Sequence, residues 1–144
     1  MALIFNDPNP AGPFSTFQVK DVVTKVFKLT YANFSTSGVN TLLGALPADA
    51  SIIGLSYWNK TKLAGNSISA ATISLGASSA GTDFCSSFDV FTTAGTNARI
   101  SPVTGILQPY NAPYSADIQL WVNGTSTTGT PTSGEIYIIV EYVR

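Results

Sequence analysis

Eight carboxylates, one thiol and no histidine are the groups with which this 144-residue chain could do acid–base, nucleophilic or metal chemistry. Without histidine, neither a Ser-His-Asp nor a Cys-His arrangement can be assembled from one chain, and histidine-containing zinc sites are excluded in the same way. No Ser-x-x-Lys spacing offers a lysine base, and no Gly-x-Ser-x-Gly elbow presents a nucleophile. The glycines lie in Ser/Thr-rich turns without a following helix, so no loop is built to cradle phosphate. Two carboxylates at the right separation would suffice for glycoside hydrolysis. Here Asp7, Asp21, Asp49, Asp83, Asp89, Asp117, Glu135 and Glu141 fall into no motif. Asp83 and Asp89 are the candidates for a calcium site shared with backbone carbonyls, and no oxygen-rich loop accompanies them. Cys85 stands alone, forms no intrachain disulfide and reads as a small buried thiol. The expectation is a protein that is not an enzyme, with no catalytic residues, no cofactor and no metal.

What remains is binding chemistry, and its candidates are apolar and aromatic. Trp121 follows Asp117 and Gln119 on the outward side of one alternating segment, and Trp58 follows Ser56 on the outward side of another. Tyr137 and Ile139 lie between Glu135 and Glu141 on the outward side of the last segment. Leu3, Ile4, Phe5, Phe14 and Phe17 crowd the N-terminus, where water contact would be costly. These nine residues are the expected interface set, since tryptophan and tyrosine are common anchors and apolar patches mark partner surfaces. Three uses stay open: rings covered by the chain's own arm, a subunit interface, or a platform for stacking sugars. Asn33, Asn59 and Asn123 open N-glycosylation tripeptides, which a chain this rich in Asn, Ser and Thr contains by chance.

The elements that must position these residues are strands. The stretch Thr41–Asn59 opens with Leu42, Leu43 and Leu46, breaks at Pro47–Asp49 and resumes as an apolar strand. In that strand Ile53, Leu55 and Tyr57 are expected on one face, and Ile52, Gly54, Ser56 and Trp58 on the other. Lys20–Ala32 reads as the first strand, with Phe27, Leu29 and Tyr31 on one side. Asn33–Asn40 reads as a turn and Lys60–Gly65 as a loop. Ser67–Leu75, Asp83–Phe91 and Ala98–Val103 read as further strands, and Pro109–Pro113 as a turn. Ile118, Leu120 and Val122 point inward from Ser115–Val122, and Ile136, Ile138, Val140 and Tyr142 inward from Glu135–Val143. Asn123–Gly134 reads as a polar loop, long for a hairpin, so the two flanking strands either pair, for example Trp121 with Tyr137, or enter opposing sheets.

These segments make about seven or eight short strands with regular turn signals and no amphipathic helix. The fold expected is all-β: a single antiparallel β-sandwich with Greek-key or jelly-roll connections over residues 20–144. Residues 1–19, with Pro8, Pro10 and Pro13, form an extended arm rather than part of a sheet. Charged residues are only 10% of the chain and the net charge is −1, against about 25% charged in an ordinary domain. Seven basic residues balanced by eight acidic ones argue against nucleic acid as a partner. A surface this poor in charge favours association. No run approaches about 18 apolar residues, so no membrane span is expected. The start, MALIFNDPNP, lacks the basic region of an export signal, and the chain is expected to be soluble and unexported.

The order of features resembles the small β-sandwich cement or decoration proteins that coat the capsids of tailed bacteriophages. The resembling parts are the Pro-rich arm, LLGALPADA within Thr41–Ala50, the strand Ser51–Trp58, the turn Gly76–Gly81 and the ending GEIYIIVEYVR. The resemblance implies a jelly-roll-like structural virion protein, a dimer or trimer, that bridges neighbouring major capsid protein subunits on the capsid exterior. It also implies a soluble precursor in the host cytoplasm before assembly. The alternative is a carbohydrate- or receptor-binding β-sandwich, such as a fibre tip, with Trp58 or Trp121 as the stacking ring.

Overall fold

Alternating side chains require a sheet with one wet face and one buried face, and the described residues supply eight strands. The computed structural model describes residues 21–48, 50–100 and 116–143. The strands are β1 (Val22–Thr30), β2 (Val39–Leu46), β3 (Ser51–Ala64), β4 (Ala70–Gly76), β5 (Cys85–Asp89), β6 (Asn97–Arg99), β7 (Ile118–Thr127) and β8 (Ser133–Val143). One sheet has the order β1-β8-β3-β6 and the other β2-β7-β4-β5, with every neighbouring pair antiparallel. The pairs nest: β1 with β8, β2 with β7, β3 with β6 and β4 with β5. This is the connectivity of one long hairpin rolled into two sheets, the jelly roll, and it agrees with the expected fold. No helix of the described residues is long and apolar enough to cross a membrane.

The core lies between the sheets. Ile136, Ile138, Val140 and Tyr142 of β8 face Ile118, Leu120 and Val122 of β7 across it, joined by Leu29, Leu46, Leu55, Ile73, Leu75 and Ile100, all buried. Each such side chain contributes about 1.5–3 kcal/mol on leaving water. Tyr57 is buried edge-on against Phe88, with ring centroids 5.3 Å apart. Cys85 is also buried, and burial pushes its thiol pKa up.

Four expectations are corrected. The Lys60–Gly65 loop is the second half of β3, which runs on to Ala64 and pairs there with Ser133. Asn123–Gly134 is not one loop, because β7 continues through Thr127 and β8 begins at Ser133. Ladder hydrogen bonds on both sides of β7 satisfy that polar backbone, so no apolar pattern is needed. Ile53 does not share the face of Leu55 and Tyr57: a bulge between Ile52 and Gly54 inverts the parity and buries Ile52 instead. Tyr31 leaves the strand for a 3-10 turn, Tyr31–Asn33, and is exposed. Of the two arrangements left open for the last strands, β7 and β8 take the second: they enter opposing sheets, and Trp121 and Tyr137 do not pair. β6 begins at Asn97, one residue before the strand read there, and stops at Arg99; residues 101–103, Pro109–Pro113 and the arm lie outside the described residues.

Candidate functional site

The outer face of the β1-β8-β3-β6 sheet can be read row by row from its register. Thr30, Glu135 and Thr61 form the first row; Lys28, Tyr137, Trp58 and Asn97 the second; Val26, Ile139, Ser56 and Arg99 the third; Thr24, Glu141 and Gly54 the fourth. The second row brings Trp58 and Tyr137 directly opposite each other, with ring centroids 5.5 Å apart and planes inclined by 23°. Trp58 is 39% exposed, and on the same face Val26, opposite Ile139 in the next row, is 57% exposed. Three of the expected interface residues, Trp58, Tyr137 and Ile139, therefore share one surface.

A charge cluster borders this patch. Glu135 accepts the Tyr137 hydroxyl at 2.5 Å and Lys60 Nζ at 3.0 Å through Oε1, and Lys28 Nζ at 3.1 Å through Oε2. The hydroxyl, then the two ammonium groups, hold its carboxyl pKa down to about 2, and the Glu135 hydrogen bond raises that of Lys60. A carboxylate held this far below its ordinary range is unsuited to deliver a proton at neutral pH. Beyond it, where the first row meets the 3-10 turn, lies an open cleft of about 260 Å³ lined by Thr30, Tyr31, Thr61, Thr132, Ser133, Gly134 and Glu135.

Trp121 faces the other way. On the outer side of the β2-β7-β4-β5 sheet it sits between Leu42, 46% exposed, and Gly76. The ring is half-buried, and its Nε1 donates to Gln119 Oε1 at 3.1 Å. This outer side is otherwise polar, with Asp89 exposed at its β5 edge and Asn40 Oδ1 accepting from Asn123 Nδ2 across β2 and β7 at 2.8 Å. Leu3, Ile4, Phe5, Phe14 and Phe17 lie outside the described residues.

Other singled-out residues are structural. Asp83 and Asp89 accept turn amides, of Ala77 at 2.9 Å and of Phe91 at 2.8 Å, and no group of three potential metal-ligating side chains occurs among the described residues. Asn59 is fully buried and donates to the Thr92 carbonyl at 2.7 Å, which withdraws its tripeptide from any modifying enzyme. Sequence reasoning missed Lys28, Lys60 and Tyr31. Their signal, two lysines meeting at Glu135 and Tyr31 lining the same cleft, exists only once β1, β3 and β8 are side by side.

No protein-family model and no curated protein matches the chain. Solved structures do resemble it. A chain of the Ralstonia phage GP4 capsid superposes with a TM-score of 0.59 at 18% identity, over 86% of this chain and 84% of that one. A chain of the cyanophage Pam1 capsid asymmetric unit superposes with a TM-score of 0.61 at 11% identity, over 97% of this chain and 99% of that one. At such identities the likeness is one of fold.

Proposed function

We propose that this chain is a structural virion protein that decorates a bacteriophage capsid and stabilises it by bridging neighbouring capsid subunits. One observation carries the reading: two aromatic patches, Trp58–Tyr137–Ile139 and Leu42–Trp121, lie on opposite outer faces of the sandwich. A bridge needs two separate contact surfaces on one rigid body, whereas a single adhesive patch makes a one-sided binder. The fold shared with chains of two phage capsids supports the same reading. Burial of each patch would contribute at about 25 cal/mol per Å² before the costs of ordering are met. Many copies on one shell add avidity.

In this reading the partners are the major capsid protein and further copies of the chain, as a dimer or trimer, on the capsid exterior. The apolar N-terminal residues Leu3, Ile4, Phe5, Phe14 and Phe17 supply a third contact across a subunit boundary. The near-neutral charge is that of a protein with no nucleic-acid partner. The test is co-sedimentation with the corresponding phage shells, using the full chain and a version lacking residues 1–16. Saturable binding of the full chain, weakened by the truncation, is expected. Failure of the full chain to associate with shells overturns the reading. Light scattering on the full chain and on a version starting at Gln18 measures the oligomeric state and its dependence on the arm.

A further inference from the structure

The cleft at the Thr30–Glu135–Thr61 row lies beside the Trp58–Tyr137–Ile139 patch rather than within it, and its chemistry is different. We infer that it binds one ring of a neutral saccharide, with the sugar's C–H face against Tyr31 and its hydroxyls shared among Thr30, Thr61, Thr132, Ser133 and Glu135. Four aliphatic hydroxyls line it: Thr30 donates to Asn33 Oδ1 at 3.4 Å and Ser133 to the Ala64 carbonyl at 3.5 Å, which leaves both able to accept, while Thr61 and Thr132 can donate and accept. That is the complement of a ligand whose own polar groups are hydroxyls. Tyr31, 45% exposed, sits on a 3-10 turn that buries none of its residues, so its ring is spare for a ligand's apolar face.

The lining decides against an anion, because it holds no basic side chain. Lys28 and Lys60 contact Glu135 at 3.1 and 3.0 Å from outside that lining. The carboxylate is compensated twice, so it does not attract a cation strongly. Capacity for a neutral donor remains: Oε1 accepts from Lys60 and Tyr137, whereas Oε2 has the single Lys28 contact within the cluster. A carboxylate oxygen has two acceptor positions, and a sugar hydroxyl can fill the second.

The walls are also held in place before any ligand arrives. Asn33 Oδ1 accepts the Thr30 amide at 2.8 Å, Asn33 Nδ2 donates to Thr41 Oγ1 at 3.0 Å, and the buried Phe34 anchors the turn that carries Tyr31. At the start of β8, Gly134 (φ +131) lies so close to Leu63 that a Cβ would come within 2.7 Å of its backbone. Fixed walls reduce the ordering cost that limits weak ligands. Glu135 is the one carboxylate in the lining and it is held ionised, so the cleft is arranged to bind rather than to cleave. At about 260 Å³ and open to solvent it holds a single ring, below the usual range for tight small-molecule sites. Affinity in the millimolar range follows, and a shell carrying many copies would multiply it.

Saturation-transfer difference NMR on the isolated full chain tests this without a capsid, so its outcome is independent of shell binding. The probes are the methyl glycosides of glucose, galactose, mannose and N-acetylglucosamine, each at about 10 mM, as millimolar binding requires. Transfer to at least one is expected, with Tyr31→Ala and Thr61→Val each weakening it about tenfold or more. Both positions are exposed, and circular dichroism confirms that the variants fold. Trp121→Ala, on the opposite sheet, should leave the signal unchanged. No transfer to any of the four glycosides overturns the inference. So does transfer that survives both cleft substitutions or is lost only in Trp121→Ala.

Discussion

Trp58 and Tyr137 stack face to face across β3 and β8, and the Tyr137 hydroxyl reaches 2.5 Å to Glu135 on its own strand. One side chain therefore joins the apolar patch to the charge cluster: its ring belongs to the first and its oxygen to the second. A cross-strand aromatic pair of this kind contributes about 0.5–1.5 kcal/mol beyond the area it buries.

Tyr137→Phe separates the two roles. The ring stays on Trp58, while Glu135 loses the hydrogen bond that lowers its pKa most. Carboxyl carbon-13 NMR should show the Glu135 titration moving upward from about 2 toward its ordinary 4.5. An unmoved midpoint would assign the shift to the lysines alone.

Acid should weaken the fold through the same carboxylate. Its folded pKa of about 2 lies below the ordinary 4.5, so the unfolded chain binds the proton more readily. The stability it supplies is thus fully present above about pH 4.5 and is lost as pH falls toward 2. Urea midpoints of the wild type and Glu135→Gln should converge across that window, and salt should shrink their difference at neutral pH because the cluster faces solvent. A gap independent of pH would contradict the assignment.

Asn59 ties the segment before β6 to β3. Its Nδ2 donates to the Thr92 carbonyl at 2.7 Å and to Thr92 Oγ1 at 3.0 Å, from a fully buried position. Asn59→Ala should cost about 1–3 kcal/mol in chemical denaturation, the range for leaving a polar partner unsatisfied on burial. Asn59→Asp should cost more, because it buries a charge. Equal stability of all three proteins would show the bond to be dispensable.

Gly124 is required by close approach rather than by a turn. A Cβ there would lie 2.1 Å from the Asn33 carbonyl oxygen, where the 3-10 turn packs on β7. Gly124→Ala should lower stability by at least about 2 kcal/mol, the cost of overpacking a site that cannot yield, and a thermal melt measures it.

Bridging makes the two tryptophans equivalent in an unusual way. Trp58→Ala and Trp121→Ala alter opposite faces, yet each alone should abolish most of the gain in shell thermal stability, since a bridge fails at either end. Calorimetry of decorated shells checks this. A loss confined to one variant would indicate attachment through that face only.

The residues alone determined which way most side chains point. Ile136, Ile138, Val140 and Tyr142 are buried in β8, and Ile118, Leu120 and Val122 in β7, as the alternation requires, because a period of two is local chain geometry. Pro47 and its neighbours ended β2 where expected, for lack of a donor and by a turn closed from Ala50 to Pro47. The tertiary structure decided the rest. A bulge has no compositional mark, so Ile52 rather than Ile53 entered the core. Polar strand ends such as Asn123–Thr127 carry no apolar signal and form because neighbouring strands satisfy their backbone. Above all, β7 and β8 joined different sheets, placing Trp121 and Tyr137 on opposite faces and Lys28, Lys60 and Glu135 together. Pairing is non-local: it is selected by the whole core's need to close, and no single segment encodes it.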